Sequence, residues 1–167
     1  MIKTVKRDID VSSSCEEVWN LMTSSGKLEN YHPFCRSNEV LKWDLENSVD
    51  LIEYYNGKIL KRSFYEWNDK NGYKLIINDM KKDIADVKWE ILTSGSDTIK
   101  LSIEIRILDG ATMSYPTIIN NILLTFYVLP LLGGYLESVL KGFKYFIETG
   151  SSVSKNQFGN NSLFSNN

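Results

Sequence analysis

Apolar and polar positions divide the chain into a strand, a short helical pair, a run of strands and a long helix. Residues 3–11 alternate, with Val5, Ile9 and Val11 on one side and Lys6, Asp8 and Asp10 on the other. That two-residue period predicts a half-buried strand. Arg7 shares the apolar side and needs a partner there or an opening to water. Ser13/Glu16 and Ser14/Glu17 both have capping-box spacing. The helix that follows should bury Val18, Trp19, Leu21 and Met22. Ser24-Ser25-Gly26 ends it, Lys27 to Tyr31 forms one further turn, and His32, preceding Pro33, is held extended. Apolar or aromatic runs then lie at 39–44, 48–55, 58–67, 73–80, 84–93 and 98–108, with turn-forming residues between them, including 94–97. The last run alternates most cleanly. Ile99, Leu101, Ile103, Ile105 and Ile107 face one way and Lys100, Ser102, Glu104 and Arg106 the other, as in a strand with one face on a core and one in water.

From Gly110 to Leu136, 27 consecutive residues lack Asp, Glu, Lys, Arg and His. That length suffices to cross a bilayer, for which about 20 apolar residues are enough. The pattern argues against a span. Asn120 and Asn121 lie inside the stretch, Pro130 and Gly133-Gly134 interrupt it, and an amphipathic stripe follows directly. Leu136, Val139, Leu140, Phe143, Phe146 and Ile147 recur at three- and four-residue steps, with Glu137, Lys141, Lys144 and Glu148 off the stripe. The stretch is expected to be the buried first half of one helix, kinked or broken between residues 129 and 134. A weaker membrane reading survives, in which Tyr115 to Tyr127 form an apolar gate that touches membranes transiently. Gly150 stops the helix. The Ser- and Asn-rich tail, 151–167, has Phe158, Leu163 and Phe164 as its anchor points.

Runs of strands bracketed by helices point to an α+β domain spanning residues 1–150. A curved seven-stranded antiparallel sheet wrapped around the long C-terminal helix, with two short helices after the first strand, uses every face. It leaves a cavity between sheet and helix unless large side chains fill it. Three segments carry a family resemblance: Ile9-Asp10-Val11 leading through Ser12-Ser13-Ser14-Cys15-Glu16-Glu17 to Val18-Trp19, the turn ending in Tyr31-His32-Pro33, and Val139-Leu140-Lys141-Gly142-Phe143-Lys144. With the order of elements over residues 3–148, they resemble the START-related, SRPBCC or polyketide-cyclase-like superfamily. The resemblance implies a helix-grip fold with a lipophilic-ligand pocket. Its members include lipid and sterol carriers, coenzyme Q-binding proteins, polyketide cyclases and chaperone activators, a breadth showing that fold does not fix function.

Composition narrows the partners. The 167 residues are 43% apolar, with 19 Lys+Arg against 21 Asp+Glu. Near-balance, with no basic run longer than two residues, argues against a nucleic-acid partner. One histidine and two distant cysteines, Cys15 and Cys35, do not make a zinc site. Two thiols and an N-terminus without a signal-peptide core point to the cytoplasm. There is no phosphate loop and no nucleophile elbow. No cofactor, metal or catalytic residue is assigned.

The hairpin around Asn56-Gly57 yields the candidate site. Asn-Gly is the preferred type I′ loop, which pairs Tyr55 with Lys58, Glu53 with Leu60, Leu51 with Arg62 and Val49 with Phe64. Val49, Leu51, Glu53, Leu60, Arg62 and Phe64 then share the inner face, with Glu53 diagonal to Arg62. Buried charges are normally paired. The expectation is a Glu53–Arg62 pair in the pocket wall. Arg62 orients a ligand carboxylate or carbonyl there, or the pair is purely structural, or that face turns to water. Trp89 points inward beside Val87 and Ile91. His32 sits where the pocket mouth would be, with no orienting partner in sequence that would make it a general base. The candidate ligand-binding residues are therefore Glu53, Arg62, Phe64, Trp89, Ile103, His32 and Leu136. The function expected is binding or transport of a small hydrophobic ligand of lipid, polyketide or isoprenoid type. The alternatives are a cyclase or dehydratase drawing on Glu53, Arg62 and His32, or a protein-interaction module with a filled interior.

Overall fold

A computed structural model describes residues 3–93, 98–109 and 117–166. The expected turn at 94–97 and the lead-in at 110–116, with the start of the expected gate, lie outside these residues. The first alternation forms strand β1 (Lys3–Val11), and helices α1 (Cys15–Met22) and α2 (Leu28–Tyr31) follow. Of the two capping candidates, Ser14 with Glu17 is the one used: Glu17 N–H donates to Ser14 Oγ, and the Glu17 carboxylate receives Ser14 N–H. Six strands come next: β2 (Cys35–Lys42), β3 (Val49–Tyr54), β4 (Ile59–Asn68), β5 (Gly72–Asn78), β6 (Asp83–Thr93) and β7 (Ile99–Ile107). They form one open antiparallel sheet in the order β1-β7-β6-β5-β4-β3-β2. The fold is α+β, with a long C-terminal helix against the sheet.

That helix begins as α3 (Thr117–Leu123), passes through a π-helical turn (Leu124–Val128) and continues as α4 (Leu129–Thr149). The break expected at 129–134 is displaced upstream. Leu129 N–H bonds Leu124 O five residues back, and Pro130, which has no N–H to give, then falls in the first turn of α4, where none is needed. Gly133 and Gly134 stay helical. Arg7 is exposed and gives Nη1 to Lys6 O at 2.8 Å, so its side of β1 opens to water there, and Gly133 lies under it, an added Cβ falling 2.6 Å from Arg7 Nη2. Lys3 is buried and ties strand to helix, with Nζ donating to Asn121 O at 2.9 Å and Thr125 Oγ1 at 3.0 Å. From Leu132 to Phe143 the stripe is buried, with Leu132, Leu136, Val139, Leu140 and Phe143 all below a tenth exposed, and Phe146 and Ile147 are partly buried.

Burial of the first half is a correction. Ile118 is 75% exposed and Phe126 78%, with Ile122 and Tyr127 also largely outside, whereas Asn120 is buried. The α4 part packs across β1 and β7 and against α1 and α2, whereas Lys3 is what ties β1 to α3 and the π-helical turn. The 32-residue helix Ile118–Thr149 has the length and apolarity of a bilayer span, with 28% of its most apolar stretch buried inside the fold.

The β3–β4 register is a second correction. Tyr54 N–H donates to Lys58 O at 2.8 Å and Gly57 N–H to Tyr54 O at 2.9 Å. Gly57 has φ 82°, while Asn56 does not take a positive φ. The loop therefore has three residues, with glycine in the left-handed position, and is not the two-residue type I′ turn. Arg62 pairs with Asp50, Leu60 with Ile52 and Ile59 with Glu53. A one-residue slip turns every side chain of β3 over. Asp50, Ile52 and Tyr54 face inward and Val49, Leu51 and Glu53 outward.

Candidate functional site

Between the sheet and α4 lies a cavity of about 300 Å³, at the lower end of the range for small-molecule sites. Its wall is mostly aliphatic. The sheet supplies Ile52, Leu60, Leu75, Val87, Ile103 and Ile105, and the helix supplies Leu124, Val128, Leu132, Leu136 and Val139. Trp89 closes one side, its ring centroid 6.0 Å from that of Phe143. The alternation of β6 and β7 places these groups, since every second residue points at the helix.

The polar part of the wall comes from five residues: His32, Tyr54, Lys58, Arg62 and Tyr135. His32 is buried in the extended step between α2 and β2. Its Nδ1 accepts Phe34 N–H at 3.3 Å, so the neutral ring carries its proton on Nε2, which lies 2.9 Å from Tyr135 Oη. Tyr135 Oη is in turn 3.1 Å from Tyr54 Oη. Burial, reinforced by the nearby Arg62 cation, lowers the His32 pKa to about 3, and the ring is uncharged at neutral pH. Burial pushes the Tyr135 hydroxyl up to about 12 and the Tyr54 hydroxyl well above its usual range. Both phenols keep their protons.

Arg62 is anchored from behind. Its Nε donates to Asp50 Oδ1 at 2.8 Å and its Nη2 to Asp50 Oδ2 at 2.6 Å, a two-pronged pair. Asp50 is fully buried and also accepts Asn38 Nδ2 at 3.0 Å. Burial opposes the arginine charge, but the bonded carboxylate outweighs it and holds the Arg62 pKa above its usual value. The charge is thus cancelled inside the wall. The guanidinium lies over the Phe64 ring, 5.5 Å from its centroid.

The structure brings five of the expected ligand-binding residues together on the cavity: Arg62, Trp89, Ile103, His32 and Leu136. Two fall elsewhere. Phe64 lies outside the lining, in an aromatic cluster with Trp43, Trp67 and Tyr73. Glu53 is on the outer face, where it accepts Ser37 Oγ at 3.0 Å and pairs with the exposed Arg36 at 3.3 Å. The expected Glu53–Arg62 pair is replaced by Asp50–Arg62, a direct result of the register. Tyr54, Tyr135, Lys58 and Phe164 are not among the expected site residues, Phe164 being expected only to anchor the tail. Tyr135 does sit on the helical stripe between Leu132 and Val139, which was a usable signal. Phe164 comes from the tail, and its ring packs 4.3 Å from Tyr135 and 4.6 Å from Tyr54. Among the described residues no group of three or more His, Cys, Asp or Glu is placed to hold a metal.

No protein-family model matches the sequence, and no curated protein does. The fold itself has many relatives among solved structures. A protein from Thermus thermophilus is similar with a TM-score of 0.69 at 18% identity, over 90% of this chain and 100% of that one. A START superfamily protein from Mycobacterium smegmatis gives 0.67 at 14%, over 89% and 99%. An aromatase/cyclase from a Streptomyces species gives 0.60 at 13%, over 92% and 100%. The chain therefore has the START-related, polyketide-cyclase-like helix-grip fold, as its opening and closing segments implied.

Proposed function

We propose that the protein binds and carries a small hydrophobic molecule, of lipid, polyketide or isoprenoid type, in the cavity between sheet and α4. The observation that carries this reading is the cavity itself: about 300 Å³ with a predominantly apolar wall, set between the sheet and α4. Water is poorly held in such a space, which offers it few partners. Similarity to a START superfamily protein and to an aromatase/cyclase is in keeping with a ligand site there. Binding is favoured over catalysis because an efficient acid or base has a pKa near the working pH. His32 at about 3 and Tyr135 at about 12 are far from it. Native mass spectrometry and solvent extraction of the purified protein test the reading. A co-purifying apolar molecule, or saturable uptake of one, is expected. An interior that takes up nothing across a broad lipid and polyketide panel would remove it.

The exposed face of Ile118, Ile122 and Phe126 adjoins Leu124 and Val128, which line the cavity. This adjacency supports transient membrane contact during loading. Phe126→Glu should weaken sedimentation with phosphatidylcholine liposomes and leave the cavity intact, while a wild-type protein that never sediments with them would rule the contact out.

A further inference from the structure

The hydrogen count of the buried polar chain specifies what the ligand must carry. His32 Nδ1 is occupied by Phe34 N–H, and the proton on Nε2 makes that atom a donor. It therefore gives a hydrogen to Tyr135 Oη and takes none from it. Between them, the Tyr135 and Tyr54 hydroxyls own two hydrogens, and the single contact joining them at 3.1 Å uses one. Whichever hydroxyl donates across that contact, one hydrogen is left over. Among the described residues neither hydroxyl has a further partner, and both tyrosines line the cavity.

The remaining polar groups of the wall act in the same direction. Arg62 commits Nε and Nη2 to Asp50, and Nη1 is a further donor. Lys58 gives a hydrogen to Leu163 O at 2.9 Å, with its ammonium 5.0 Å from the Phe164 ring centroid. Among the described residues no carboxylate or amide side chain lines the cavity; Asp50 is fully buried behind Arg62 and outside the lining. The buried part of the wall offers donors without a net charge to balance an anion, because Asp50 has already cancelled Arg62; the remaining charge of the lining, on Lys58, is carried by an exposed residue.

We infer that the cavity is built for a neutral apolar molecule bearing a carbonyl-type acceptor oxygen, which takes the hydrogen left over by the His32–Tyr135–Tyr54 chain. This rests on the cavity being a ligand site, as proposed above. A carbonyl fits because it brings an acceptor and no donor, and because an unpaired polar group buried in such a wall is costly. His32 acts as a positioning residue, holding Tyr135 so that the spare hydrogen faces the cavity.

The test uses a matched pair of probes on the whole protein, freed of bound lipid: 2-acetylnaphthalene and 2-ethylnaphthalene, measured by calorimetric titration. In the wild type, affinity for the ketone relative to the hydrocarbon is expected to exceed that in Tyr54→Phe/Tyr135→Phe by about tenfold. Retained binding of 2-ethylnaphthalene by the double variant shows that its cavity is intact. A second readout needs no variant: the infrared carbonyl stretch of the bound ketone should lie below its value in hexane. Ionised 2-naphthoate should bind more weakly than the ketone. An unchanged ketone preference in the double variant, an unshifted carbonyl stretch, or tighter binding of the carboxylate would each overturn the inference while leaving the cavity reading in place. If neither neutral probe binds the wild type, the cavity reading itself falls and this inference with it.

Discussion

His32 couples the cavity wall to pH. Its folded pKa of about 3 lies below the 6.5 of an exposed imidazole. Between those values the unfolded chain holds a proton that the folded chain does not, so stability rises with pH through this window. The contribution is fully present above 6.5 and is lost as pH falls toward 3. At pH 4 the loss from this one ring is about 3 kcal/mol. His32→Gln keeps an amide that can donate to Tyr135 but does not titrate. Urea unfolding of both proteins from pH 7 to pH 4 should show wild type losing about 3 kcal/mol more than the variant; curves that stay parallel would show that the ring is not held neutral. Arg62 and Asp50 make a second residue-scale case. Removing one partner strands a buried charge, so Arg62→Met alone should cost about 3–5 kcal/mol. Asp50→Leu/Arg62→Met together should recover most of that loss, and a double variant no more stable than the worse single one would contradict it. The sequence showed that Arg62 needed an anion and named the wrong one. The two faces of β3 are nearly equal in character, Asp50, Ile52 and Tyr54 against Val49, Leu51 and Glu53. Hydrophobicity could not choose between them, and the choice fell to the turn, whose Asn-Gly preference was overridden. The pairing of His32 with Tyr135 spans 103 positions, beyond any local pattern.

Elements were more legible than their junctions. Six of the seven strands lie close to where alternation and turn residues put them, because a face on the core imposes a period that survives any detail of packing; β2, an edge strand with only Cys35 buried, starts four residues before the expected run at 39. The inner row of β7, from Ile99 to Ile107, is the clearest instance. The helix was visible too, but not where it bends, since Pro130 signals only that an N–H is missing and leaves open which turn upstream absorbs the defect. Glycines within α4 separate packing from propensity. A Cβ on Gly142 would lie 2.1 Å from Tyr31 O and 3.1 Å from Pro33 Cδ, whereas one on Gly134 would meet nothing within 4 Å. Gly142→Ala must therefore push α2 off α4, at a cost of about 1–3 kcal/mol despite the better helix former. Gly134→Ala should gain up to about 1 kcal/mol. Thermal unfolding of the two variants should move in opposite directions, and a shared direction would mean that the α2–α4 contact does not set the helix position.

At the scale of the whole molecule, an open sheet cannot enclose a helix on all sides, and the C-terminal segment adds Leu163 and Phe164 to the wall of a cavity that stays partly open. After Gly150 the chain turns back, with Val153 N–H on Asn30 O at 2.9 Å and Asn156 N–H on Pro33 O at 3.1 Å. Asn161 Nδ2 reaches Leu131 O at 2.8 Å, and Asn56 and Lys58 at the β3–β4 hairpin both hold Leu163 O at 2.9 Å. This seats Phe164, 8% exposed, against Tyr54 and Tyr135. In sequence the segment is polar and without period, which marks it as a tail; only Phe158, Leu163 and Phe164 hinted at attachment. Asn161 acts by giving a side-chain hydrogen to a backbone carbonyl 30 positions away in the chain, a role that composition does not reveal. If the segment is part of the cavity wall, a chain ending at Gly150 loses the ring that covers both tyrosines and opens the apolar interior to water. Such a chain should bind an environment-sensitive naphthalene dye more strongly than the whole protein, and should release bound 2-acetylnaphthalene faster. Phe164→Ala should cost about 3 kcal/mol, as for other buried aromatic rings. Faster release with little loss of stability would make the segment a cover over a cavity that stands without it. Loss of stability with unchanged release would make it a packing element only, with the ligand entering past Leu124 and Val128 instead.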